Sequence, residues 1–104
     1  LDLGAQGLNP DGAVFDVDGD FWCAQWGASR VARYASDGRL KGVTGIGATQ
    51  ASCPAFGGPD LSTLFCTTAR QGLSAETLAD GRAHGATFQV ATETKGQLEH
   101  RVIP

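Results

Sequence analysis

The groups best suited to chemistry cluster near the start of the chain. Asp16-Val17-Asp18-Gly19-Asp20 sets three carboxylates on alternate residues, the spacing with which a calcium loop begins. Its glycine comes one position early for such a loop and no glutamate follows at the required distance, so a hairpin turn is the better reading. Asp11 stands in Pro10-Asp11-Gly12, which by residue type alone reads as a turn, with Pro fixing φ and Asp bonding its own backbone. Arg70 and His84 bracket the polar stretch RQGLSAETLADGRAH. They are the cationic and imidazole groups that would meet a hydroxylated substrate, against the plain alternative of solvated loop side chains. Cys23, Cys53 and Cys66 form no CxxC pair and have no His placed to complete a zinc site. They read as small buried hydrophobes in a reducing cytoplasm. No Ser/His/Asp or Cys/His constellation with a local signature is present.

The elements that must position these groups are short strands. Residues 13–17 form an apolar run, then Asp18-Gly19 precedes the aromatic run FWCAQW at 21–26. An Asp-Gly pair between two such runs favours a tight hairpin, because both turn positions tolerate positive φ. After Gly27-Ala28-Ser29, residues 30–34 alternate polar and apolar with period 2, and Asp37-Gly38 signals a second hairpin before a strand at 40–46. The expectation is a four-stranded antiparallel meander. Trp22 and Trp26 fall in its buried run.

The second half echoes the first. SCPAF at 52–56 stands where 13–17 stood, TLFCTT at 63–68 follows FWCAQW after 41 to 43 residues, and ATFQV with KGQL echoes RVARY and the strand at Leu40. A repeat of about 40 residues with four strands per copy is the mark of propeller blades. The fold class expected is all-β: two four-stranded antiparallel blades from a six-bladed β-propeller, blade one over 10–48 and blade two over 50–104. The last echo is late, so a loop at 70–84 is inserted between the second and third strands of blade two, with one helical turn at 74–78. Little other helix is expected, because no window of 12 or more residues holds a 3.6 periodicity.

Bulk properties narrow the partners. The 104 residues carry a net charge of -3 and a pI near 5.1, which leaves no basic surface for nucleic acid. Nothing approaches the roughly 20 apolar residues of a membrane span, and the start lacks the charged and apolar regions of a signal peptide. Membrane attachment is therefore not expected, and the setting is cytoplasmic. The chain holds no Met, which suggests a fragment or a processed chain. Two blades alone would expose wide apolar faces, so remaining blades or further copies of the chain must cover them.

The run PDGAVFDVDGDFWCAQWGASRVARYASDGRL, followed by SCPAFGGPDLSTLFCTTAR, resembles the C-terminal third of the SMP-30/gluconolactonase/regucalcin-like sugar lactonases. The resemblance is strong over residues 9–70 and weaker over 84–104. It implies a propeller with one divalent metal ion, calcium, zinc, magnesium or manganese, at the mouth of its channel, and hydrolysis of aldonolactone rings. Of the family's metal ligands, an acidic residue, an Asn and the Asp of the PDG motif, only the last matches here, as Asp11. The other ligands would lie outside this chain, so the chain alone would be inactive. The resemblance leaves ligand and general base both open for Asp11, and strand direction puts the loops at 26–29 and 70–84, with Arg70 and His84, on the Asp11 side. A non-catalytic propeller fragment, or a self-assembling structural or binding module, is the alternative.

Overall fold

The computed structural model describes residues 7–97 of the chain. Its strands are β1 (Asn9–Phe15), β2 (Phe21–Trp26), β3 (Arg30–Tyr34), β4 (Leu40–Gly45), β5 (Ala51–Gly57), β6 (Thr63–Thr68) and β7 (Thr87–Ala91), with one short helix, α1 (Ala75–Leu78), between β6 and β7. All pairings are antiparallel. One sheet has the order β1-β2-β3-β4 and the other β5-β6-β7. The first sheet is the expected meander. Among the described residues the second has three strands. Lys95 and Gly96, expected as the turn before a fourth strand, and Gln97 after them reach the first sheet: Val17 N–H donates to the Lys95 carbonyl (2.7 Å), Gly96 bridges Asp16, and Gln97 Nε2 donates to the Asp16 carbonyl (2.7 Å). Leu98, where that fourth strand was expected to begin, lies outside the described residues.

Both Asp-Gly turns form, in a different geometry from the two-residue turn expected. Asp16 N–H bonds the Asp20 carbonyl and Gly19 N–H the Asp16 carbonyl, and the same two bonds recur at Ala35, Arg39 and Gly38. Each is a three-residue loop closed by one left-handed residue, and only the glycine takes positive φ, +83° at Gly19 and +88° at Gly38. The strand therefore ends at Phe15 and Val17 is exposed.

Apolar alternation on β2 buries both of its faces. Trp22 and Ala24, with Val31 of β3, pack on Ala51, Leu64 and Cys66 of the second sheet, and Phe56 meets Trp22 edge-on at 5.2 Å. Cys23 lies on the other side with Ala32 and Tyr34, flanked by Phe21 and Leu8. Gln25 is fully buried yet satisfied: its Nε2 donates to the Tyr34 hydroxyl (2.8 Å) and its Oε1 accepts from Arg30. Gly96 fits under Phe56, whose Cβ would lie 2.3 Å from any Cβ there.

At the turn end the sheet is tied together by Asp16, whose side chain is fully buried. Oδ1 accepts from Asp18 N–H (2.9 Å) and Asp20 N–H (3.0 Å), and Oδ2 from Trp22 Nε1 (2.8 Å) and Arg33 Nη2 (3.1 Å). Arg33 also stacks over the Trp22 ring at 5.2 Å and pairs with Asp20, which Lys41 Nζ meets at 2.6 Å. A buried ion with this many donors is costly to break. Asp16→Ala should lower stability by about 3 kcal/mol in urea unfolding, with Asp16→Asn milder, and a loss below about 1 kcal/mol would refute this role. The hydrogen bond from Lys41 holds the Asp20 carboxyl below its ordinary range against partial burial, aided by the Lys41 charge and by Arg33. That contribution is present above the ordinary Asp value and is lost as pH falls through the lowered one. Lys41→Met should therefore flatten the acid limb of a stability-against-pH curve and leave its neutral shape intact.

Candidate functional site

β1 and β5 run side by side, and the end at which both begin gathers the sequence candidates. Asn9 faces Trp26 across the first sheet and Ala51 faces Thr68 across the second. The loops after β2 and β6 therefore emerge beside Asp11. Asp11 itself is inside a strand. Pro10 pairs with Gln25 and Ala13 with Cys23, so Asp11 and Gly12 together oppose Ala24 in a β-bulge. A bulge bends the strand and re-aims its side chains. Asp11 is exposed, and it lies near Cys23, whose thiol is pushed up by burial, against a hydrogen bond from the Asp11 backbone that lowers it and with the Asp11 charge adding to the rise.

The motif's glycine has a steric reason. A Cβ on Gly12 would stand 2.7 Å from the Ser52 carbonyl oxygen and 2.9 Å from Cys53 Cα, both backbone atoms of β5. Only a residue without a side chain lets the two strands meet here. The second sheet repeats the bulge, since Ala51 pairs with Thr68 and Cys53 with Thr67, leaving Ser52 extra. Ser52 thus holds in β5 the place of Asp11 in β1, and its Oγ lies 2.7 Å from Thr67 Oγ1. The 41-residue repeat offset is the sequence signal for this match.

The inserted loop carries α1, capped by Ser74, whose hydroxyl accepts from Thr77 N–H. Arg70 is exposed at its start. His84, at its end, has a side chain only 1% exposed. Its Nδ1 accepts from Thr49 N–H (3.5 Å), which assigns the proton to Nε2, facing Asp80 Oδ1 at 3.1 Å. Hydrogen bonds from the Arg82 side chain and then its backbone N–H pull the Asp80 carboxyl down to about 2, against partial burial and with help from His84. Arg82 Nη1 reaches Ser29 Oγ of the β2–β3 turn at 3.4 Å. The alternation of Asp80, Arg82 and His84 was a legible hint of such a cluster; Thr49 had none.

The other motifs sort away from this end. Asp16 to Asp20 form the opposite turn, and Gly58 to Leu61 another, with Asp60 accepting from Ser62 N–H and Oγ. Cys23 and Cys66 are buried as expected, but Cys53, next to Ser52 at the bulge, is exposed. Among the described residues no three His, Cys, Asp or Glu side chains converge as a metal site. Asp11 fits a divalent ion by its donor type, a hard exposed carboxylate oxygen, and supplies one ligand of several. No helix among the described residues is long and apolar enough to cross a membrane, which says nothing of β-barrels.

Comparisons with known proteins identify the family. The family model for the SMP-30/Gluconolactonase/LRE-like region matches residues 1–70. A putative sugar lactone lactonase of Rhizobium meliloti (strain 1021) is 44% identical over 86% of this chain and 30% of its own length. The L-arabinolactonase of Azospirillum brasilense is 40% identical over 89% of the chain and 30% of its own length. Among solved structures, a calcium-binding protein, regucalcin, from Agrobacterium tumefaciens superimposes with a TM-score of 0.82 at 40% identity, over 86% of this chain and 30% of that one. The chain thus spans about 30% of the length of the relatives it matches. With the matched region holding β1 to β6 and the bulge that carries Asp11, the chain belongs to the SMP-30/gluconolactonase/LRE-like family.

Proposed function

We propose that this chain is the C-terminal part of a metal-dependent sugar lactonase that opens aldonolactone rings, and that its two sheets are blades of a six-bladed propeller. The observation that carries the reading is the exposed Asp11 carboxylate, held in a bulge that Gly12 presses against β5, in a chain 44% identical to a putative sugar lactone lactonase. Exposed apolar side chains agree with further blades packed against this chain: Phe15 on β1 is 55% exposed, and Leu40 and Val43 on β4 are 49% and 52% exposed. Three free cysteines, two of them buried with thiols raised by burial, suit a reducing, cytoplasmic setting.

Hydrolysis adds water to the lactone carbonyl carbon and breaks the ring C–O bond, and the ring oxygen takes up a proton to give the hydroxy acid. A divalent ion, when bound, polarises that carbonyl and lowers the pKa of water. Asp11 is the residue of this chain that would hold the ion, and its exposed carboxylate would orient the attacking water or take its proton. Arg70, exposed on the same end, donates to the oxygens of the substrate. The enclosed ring of His84 acts on the site through the loop it fixes.

Three measurements test this reading. In the complete protein, Asp11→Ala should cut lactone hydrolysis by about a thousandfold while circular dichroism and melting stay near wild type; an active, folded variant would sink the assignment. Gly12→Ala should force β1 from β5 and shift Asp11 by a fraction of an ångström, lowering kcat/KM by about 10- to 100-fold. This chain by itself, titrated calorimetrically with calcium, should bind no tighter than about millimolar, and tight one-to-one binding would contradict a site completed from elsewhere.

A further inference from the structure

We propose that His84 is a positioning residue: it locks the end of the 70–84 loop against the turn between the sheets and thereby sets where Arg70 stands at the Asp11 end of the sheets. Only the kinetic consequence rests on the lactonase reading; the lock is a property of the fold.

The ring has no group left for a ligand. Its Nδ1 takes the Thr49 N–H and its Nε2–H faces Asp80, with the side chain 1% exposed. These partners belong to different parts of the chain. Thr49 is in the turn between β4 and β5, where its carbonyl also accepts from Ser29 N–H (3.0 Å). Asp80 is within the loop, where it accepts from Arg82 Nε (3.0 Å), Nη2 (2.8 Å) and N–H (2.9 Å) and leaves Arg82 Nη1 to reach Ser29. His84 therefore joins the loop to the segment between the sheets, and Arg82 joins it to the β2–β3 turn.

The next residue passes this placement to Arg70. Gly85 N–H donates to Thr68 Oγ1 (3.0 Å), and that hydroxyl donates to the Ala86 carbonyl (2.6 Å), so the backbone after His84 is fixed on β6. The Arg70 stem crosses this backbone. A Cβ on Gly85 would stand 2.8 Å from Arg70 Cγ and 2.9 Å from Cδ, and Gly85 has a φ of +88° that disfavours any side chain. An arginine laid on a backbone with no spare room moves when that backbone moves. Both β6 bonds run through the one Thr68 hydroxyl, so without His84 this backbone can turn about that point; release of His84 then displaces the guanidinium and leaves Asp11, on another strand, in place.

The test uses the complete protein, with a sugar lactone as substrate and amide and arginine Nε resonances as readouts. His84→Ala should raise KM about tenfold with kcat within about twofold, speed exchange of the Thr49 amide and shift the Arg70 Nε resonance. His84→Asn, whose Oδ1 replaces Nδ1 as acceptor for Thr49, should bring KM back to within about threefold of wild type. A freed Thr49 amide with unmoved Arg70 resonance and KM overturns the proposal. If His84→Ala fails to fold, Gly85→Ala, which spares both ring bonds, should reproduce the KM rise, and an unchanged KM overturns the proposal. If the wild-type protein opens no sugar lactone, the lactonase reading falls and the resonances decide alone: Thr49 and Arg70 moving together uphold the lock, and Arg70 staying fixed overturns it.

Discussion

A carboxylate removed from water must find its donors in the protein, and Asp16 finds four of them. Two are backbone groups of its own turn, one is the indole of Trp22 and one the guanidinium of Arg33. Each bond constrains a different part of the fold. The turn amides fix the hairpin between β1 and β2, the indole bond orients the largest side chain of the inter-sheet core, and Arg33 ties in β3. The same residue's backbone receives the chain's return at Gly96 and Gln97. Burial of Trp22 between the sheets therefore depends on a polar network at their edge, and the core could not repack without leaving that charge unmet.

The two ends of the sheets have separate duties. The turn end spends its acidic residues on structure: Asp16, Asp20, Arg33 and Lys41 neutralise one another. At the other end Asp11 has an exposed carboxylate, and Asp80, Arg82 and His84 tie the inserted loop down beside it. A strained or bulged backbone at that end is tolerable because the opposite end and the core hold the sheets together.

The strands were largely legible in the sequence because period-2 alternation and Asp-Gly pairs act locally, as does the serine that caps α1. The turn geometry was not, because two glycines supply one left-handed residue each where a tighter turn would need two. The turn read at Lys95-Gly96 from the echo of Asp37-Gly38 gave no sign that Gly96 meets Asp16, 80 positions away, and Phe56, 40 positions away. Asp11 was legible as a candidate only through its motif; its bulge depends on which residues of β2 lie opposite. His84 was legible as an imidazole beside a loop, and its enclosure comes from Thr49, which no local pattern points to.

The bulge appears in both sheets at the same height, with aspartate in one and serine in the other. Its backbone kink survives this change of occupant, so the kink is a socket whose shape is independent of what is plugged into it. A single codon at such a position can exchange an anionic oxygen for a neutral hydroxyl without altering strand register. The architecture thus separates what may be edited, the side chains each copy carries at the kink, from what recurs in both, the strand pairing that gives the socket its walls.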